Sequence, residues 1–234
     1  MFKPTKSISI LTFVLLMGCA SPDSAPQSAN YSSNISASTP TTTAETTNSA
    51  TLPDTIIIPG ERIGSVTSNT SRQQLTQLFG EQRLTDEQVH MGEGFTQPGT
   101  RVNLGSDLSF TIVWADPNRL QVQEVRNLGS DWQTPQGIGV GTTFAQLQEQ
   151  LGSFEIYGLA WDYGGTVLLQ GTKLAGYEQL LILRLQAAPD AAQKSPEDYQ
   201  AVLGDSTFSS SNPHMGRLNL KVGEIIVQLA PNTQ

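Results

Sequence analysis

The sequence predicts an α+β domain over residues 54–234, built as two similar units that each run from a short helix into an antiparallel meander and pack as one body. Two observations carry this expectation. The first is an internal repeat: Ser71-x-x-Gln74-Leu75-x-x-x-Phe79-Gly80 has the same form as Thr143-x-x-Gln146-Leu147-x-x-x-Leu151-Gly152, and each copy comes after an Ile-Gly pair, Ile63-Gly64 and Ile138-Gly139. The second lies downstream of each copy, where short runs of apolar residues alternate with polar ones and are broken by Gly, Pro, Asp and Asn. Period-2 alternation marks strands with one buried face. Helices succeeded by several such strands give the α+β class, with helices laid on antiparallel sheet. The repeat divides the domain at about residues 60–129 and 130–234.

In the first unit, Ser71 and Gln74 form a capping box, each side chain satisfying a backbone N–H of the other's residue at the helix start. Leu75 and Phe79 lie four apart on one helical face, and Gly80 supplies the residue that ends the helix. A helix of about nine residues is unstable alone, so it must dock on a sheet. Strands are expected at 83–90, 101–104, 108–114 and 120–127. Leu108, Phe110, Ile112 and Trp114 alternate cleanly, and Asp116-Pro117-Asn118 turns the chain into the next strand.

In the second unit, Thr143 with Gln146 repeats the capping box, Leu147 and Leu151 repeat the apolar pair, and Gly152 repeats the stop. Strands at 153–163 and 166–170 flank Gly164-Gly165, a two-residue hairpin signal because both glycines accept positive φ. Residues 180–186 are apolar on both faces and read as a central strand; 195–203 read as a short helix; Ile225, Val227 and Leu229 mark a last half-buried strand. The Ile-Gly, Ser/Thr, Leu, Gly and meander layout is similar to the tandem helix-and-sheet modules of β-lactamase inhibitor proteins and, one copy at a time, to small outer-membrane lipoproteins of the SmpA/OmlA type. That resemblance implies a module that binds other proteins and has no catalytic site, although fold does not fix function.

Ahead of the domain, Lys3 and Lys6 precede an apolar stretch at 8–17 and then Gly18-Cys19, the layout of a secretory signal over residues 1–18. The stretch is too short to span a bilayer, which takes roughly 20 apolar residues. Leu16-Met17-Gly18-Cys19 resembles the lipobox of bacterial lipoprotein precursors, which implies that Cys19 becomes the lipidated first residue of the mature chain; Met17 is bulkier than the usual residue there. Cys19 is the one cysteine in the chain, and an exported protein with a single thiol needs a use for it. Ala20, in place of Asp, implies by the same resemblance an outer-membrane anchor facing the periplasm. Residues 19–53 form the expected tether: Ser, Thr, Ala, Asn and Pro predominate, only Asp23 and Glu45 are charged, and too little apolar surface is present to offset ordering entropy. As a flexible coil it would reach roughly 30 to 35 Å.

Removing the signal with its two lysines leaves 11 basic residues against 21 acidic ones, a balance that opposes nucleic-acid binding and leaves membrane contact to the lipid anchor. No cofactor or metal motif is present: His90 and Glu93 are three apart, but Gly92 and Gly94 place them in a loop. No catalytic residue is assigned. An envelope hydrolase using His90 or His214, the two histidines of the chain, is the alternative; it requires one of them in a cleft beside a carboxylate and a hydroxyl. The preferred expectation is a binding module whose partner is a protein or an envelope polymer. Trp161, Asp162 and Tyr163 put two aromatics and a carboxylate at an expected hairpin tip, and His90, Glu93 and Phe95 form a second candidate loop. The expected surface is an exposed aromatic patch without a convergent polar pocket.

Overall fold

The computed structural model describes residues 54–229, which belong to one compact unit; the signal at 1–18, Cys19 and the tether at 19–53 lie outside the described residues. The chain opens with three two-residue strands, β1 (Ile57–Ile58), β2 (Arg62–Ile63) and β3 (Val66–Thr67), paired as a small antiparallel sheet. Helix α1 (Arg72–Phe79) comes next, then β4 (Leu84–Gly92), β5 (Phe95–Val102), β6 (Phe110–Trp114) and β7 (Val122–Arg126). The second half holds α2 (Phe144–Leu151), β8 (Glu155–Tyr157), β9 (Val167–Leu168) and β10 (Leu181–Gln186). It ends with α3 (Ala191–Lys194), α4 (Pro196–Gln200), β11 (Thr207–Ser209), α5 (Pro213–Arg217) and β12 (Lys221–Gln228).

The α+β class, with helices on antiparallel sheets, is the one the sequence predicts, and both repeated helices form from the same local bonds. Ser71 Oγ accepts from Gln74 N at 3.3 Å while Gln74 Oε1 accepts from Ser71 N at 2.8 Å. Thr143 and Gln146 reproduce the arrangement at 3.3 and 2.9 Å. Gly80 and Gly152 end the helices at φ 84° and 85°. Leu75 and Leu147 are fully buried beneath them. Phe79, Phe110 and Trp132 then stack edge-to-face, with centroids 5.8 and 5.3 Å apart, tying α1 to the sheet. Each such ring or leucine contributes about 1.5–3 kcal/mol of apolar burial.

The strands are distributed differently from the expected pair of meanders. Strands β10 and β12 of the second half add to the edge of the β4–β7 meander, giving one six-stranded sheet of order β10-β12-β7-β6-β5-β4; β11, β8 and β9 form a separate three-stranded sheet. Strand 180–186 is therefore an edge strand with alternating burial, whereas β12, flanked on both sides and expected to be half-buried, is buried on both faces through Ile225, Ile226 and Val227; β6, whose alternation predicts one buried face, is likewise buried on both, Thr111 and Val113 included. Strand β5 starts at Phe95, earlier than the expected 101–104, and carries Pro98, a residue that cannot donate to a ladder. Pro98 is accommodated because β6 pairs with β5 only from Gly99 onward, so the proline sits where one side of the strand has no ladder to donate to. The Gly164-Gly165 hairpin is also a correction: β8 and β9 pair through Ile156 and Val167, and the nine residues 158–166 between them make a longer loop.

One polar network fastens α1 to the sheet. Asp86 on β4 accepts from Thr100 Oγ1 at 2.6 Å, Arg72 Nε at 3.0 Å and Arg119 at 2.6 Å; Thr100 in turn accepts from the buried indole of Trp114 at 2.9 Å. Partial burial pushes the Asp86 carboxyl upward, but the bonds from Thr100 and Arg72 and the nearby guanidinium charges prevail and hold it below its ordinary value. A carboxyl depressed in the folded state stabilises above its unfolded pKa of about 3.9, and that stability is lost as pH falls through the folded value. We expect the urea midpoint to fall between about pH 5 and pH 3, and Asp86→Asn to flatten that fall. An identical acid dependence in wild type and variant would show that Asp86 is not its source.

Candidate functional site

The face of the six-stranded sheet opposite α1 and α2 is not a dry surface. Strand alternation places Glu124 and Arg126 of β7 on this face, with Glu124 opposite Gln228 of β12 and Arg184 of β10 opposite Glu224. Gln228 Nε2 donates to Glu124 Oε2 at 2.7 Å, and Arg184 donates to Glu224 at 3.0 Å. Arg126 Nε stands 3.0 Å from Glu124 Oε1, an ion pair not aligned for a hydrogen bond, with the Glu124 side chain only 5% exposed. Arg184 Nε is buried and makes no hydrogen bond. Buried pairs of this kind cost desolvation, so they persist only where both charges stay matched.

The hairpin of β4 and β5 curls over this face. In sheet order β4 lies three strands from β7, about 14 Å away in a flat sheet. Yet Arg126 donates to the His90 carbonyl at 3.1 Å and lies 3.9 Å from Met91 Sδ, so the hairpin tip must fold back over β7. A register shift between His90 and Gly92 gives the bend, as bulges do. The turn itself is Gly92-Glu93-Gly94, all at positive φ, with Glu93 at 49°. What reads in sequence as a loop at 90–98 is thus two strand ends and a tight tip.

The second candidate segment reaches the same place. Trp161 is half-buried: its indole donates to the Gly158 carbonyl at 2.9 Å, and its ring meets Tyr157 and Tyr163 edge-to-face at 5.5 and 5.3 Å. It braces the loop and does not protrude. Asp162 and Tyr163 face outward beyond it, and they line a cleft of about 390 Å³ together with His90, Glu93 and Phe95. Met91, Gly92, Arg126, Arg184 and Glu224 complete its lining. Phe95 is 68% exposed and Tyr163 51%, an unusual exposure for two large rings beside one cavity. Of the aromatics expected to be exposed, Phe95 and Tyr163 are and Trp161 is not, and the two exposed rings border a polar cleft where none was expected. The cause is the curled hairpin, which carries strand residues from β7, β10 and β12 into the site.

No family model matches the chain and no curated protein matches it. Among solved structures, the crystal structure of the uncharacterized protein yfeY from Escherichia coli is similar over 72% of this chain and 97% of that one, at 17% identity and a TM-score of 0.43.

Sequence reading missed Arg126, Arg184 and Glu224. Each is a charged residue inside a strand otherwise rich in apolar side chains, Val-Gln-Glu-Val-Arg, Leu-Ile-Leu-Arg-Leu and Val-Gly-Glu-Ile-Ile, and that pattern was the one signal that could have found them. The histidines lie apart. His90 is exposed at the cleft. His214, on α5, sits 2.8 Å from Asp198 of α4, whose carboxylate also accepts from both Nε and Nη2 of Arg217; Arg217 first, and then His214, hold Asp198 down at about 2. Among the described residues neither imidazole is hydrogen-bonded to a hydroxyl.

Proposed function

We propose that this chain is a lipid-anchored, non-catalytic binding module of the bacterial cell envelope. In this reading acyl chains on Cys19 hold it at the outer membrane, facing the periplasm, and the 19–53 segment tethers a domain that engages a protein or envelope polymer. Its binding face is the cleft between the β4–β5 tip and the 158–166 loop. The observation that carries the reading is the exposure of Phe95 and Tyr163 at the mouth of that cleft, because rings of this size in water are the usual anchors of a recognition surface. The lipobox and the acidic balance of the mature chain support the anchor and argue against nucleic acid.

One cell experiment tests both halves. A photo-crosslinking amino acid is placed at Phe95, at Tyr163 or, as a control, at Leu120, an equally exposed site before β7. Each is made in the native chain and in Cys19→Ser. Adducts from Phe95 and Tyr163 but not Leu120, together with loss of envelope fractionation in Cys19→Ser, are expected. Adducts at all three sites alike would sink the cleft assignment, and a serine variant that still sediments with salt-washed envelopes would sink the anchor.

A further inference from the structure

We infer that the occupant of the cleft is a cationic side chain, an arginine or lysine on an exposed segment of a protein partner. This rests on the cleft being the binding face proposed above.

The charges around the cleft give the sign. Its two arginines are already neutralised where they stand, Arg126 by Glu124 and Arg184 by Glu224, each at 3.0 Å. Glu93 and Asp162 line the same cleft, and among the described residues neither has an ion-pair or hydrogen-bond partner. An anion bound at either guanidinium would sit against the carboxylate already paired with it, and two like charges sharing one largely buried cation repel. A cation meets two carboxylates with nothing to displace. The balance of 11 basic residues against 21 acidic in the chain without its signal extends the same preference outward, raising the encounter rate of basic partners.

The rings supply a second and independent reason. Aromatic faces attract cations, most strongly the planar guanidinium, which also stacks on them. Phe95 and Tyr163 border the same cavity as Glu93 and Asp162, so one long side chain can place its charged head at the carboxylates and its aliphatic stem along the rings. A free ammonium ion would leave the 68% exposed Phe95 ring uncovered. An arginine or lysine carried on a peptide covers it. A cavity of about 390 Å³ has room for one inserted long side chain.

The test is calorimetric titration of the full chain, solubilised in detergent, with two dodecapeptides on one Gly/Ser frame, one carrying arginine at alternate positions and the other glutamate. The arginine peptide is expected to bind at least about tenfold more tightly than the glutamate peptide. The Glu93→Gln/Asp162→Asn double variant and the Phe95→Ala/Tyr163→Ala double variant should each weaken it by about tenfold, with unchanged thermal midpoints because all four side chains are exposed. Equal or tighter binding of the glutamate peptide overturns the inference. So does arginine-peptide binding that both variants retain, since that would be diffuse surface attraction. If Phe95 and Tyr163 crosslink in cells while the arginine peptide fails to bind, the cationic ligand falls and the binding face stands; silence in both experiments removes both.

Discussion

Gly165→Ala lowers the thermal midpoint by about 6–16 °C, the equivalent of roughly 3–4 kcal/mol in a domain of this size. Two costs combine at this position. Gly165 has φ 74°, where any Cβ is strained, and a Cβ built there would lie 2.0 Å from the Leu185 carbonyl oxygen. Backbone cannot yield as a flexible side chain does. The clash also falls on the bond that fastens the 158–166 loop to the edge of the main sheet, in which Gly165 O accepts from Leu185 N at 2.8 Å, and beside the one that ties it to β8, in which Gly165 N donates to Tyr157 O at 3.1 Å. Gly171→Ala is the matched control, having φ 78° but open space where its Cβ would stand. It should lose only about 1–2 kcal/mol, the cost of the left-handed conformation itself. Calorimetry of the two variants decides the matter, and equal losses would show that contact with Leu185 contributes nothing.

Glu124→Ala is expected to cost about 3–5 kcal/mol, read as a lowered urea midpoint, because it strands a largely buried guanidinium and takes the acceptor from Gln228. The rescue is more informative than the loss. Glu124→Leu with Arg126→Met, which removes both charges and keeps bulk, should return most of the stability, since an apolar pair of similar volume is often neutral or better. It should not restore the site. Arg126 holds the His90 carbonyl at 3.1 Å, so the rescued variant should exchange amide hydrogens faster at the hairpin tip. A double variant as unstable as the single one would mean that the pair is not coupled in this way.

Stability and site placement separate at these two positions because the cleft is assembled from both. Gly165 fixes the loop that presents Asp162 and Tyr163, and Arg126 fixes the tip that presents Glu93 and Phe95. The exposed rings themselves bear little on folding. That division comes from burial: the supporting groups lie under the surface, while the proposed contact groups stand in solvent.

The two repeated helices, α1 and α2, were legible residue by residue, because a capping box is a contact across three positions and a glycine stop is a property of one. The strand ending at Trp114 was legible from its alternation, though not its burial on both faces, and the segment carrying Trp161 to Tyr163 stood out because its aromatics and carboxylate are neighbours. The edge position of β10 was not legible. Leu181, Leu183 and Leu185 alternate with Leu180 and Ile182 but also with Arg184 and Gln186, and only the arrival of β12 between β10 and β7 decides that this strand lies at the edge. The strand that starts at Phe95 was not legible either: Gly92 and Gly94 read as a loop, and whether Pro98 fits a strand depends on a neighbouring strand that the sequence does not show.

By itself the sequence determined the α+β class, the two capped helices, the acidic balance and both segments that border the cleft, all of them properties of neighbouring residues or of composition. The tertiary structure alone decided that those segments meet, and that Arg126, Arg184 and Glu224 meet them. The contacts responsible join residues far apart in the chain, such as Gln228 with Glu124 at a separation of 104 and Arg126 with His90 at 36. Strand pairing at such distances is selected by the closing of the whole sheet against loop entropy, and no local pattern encodes it.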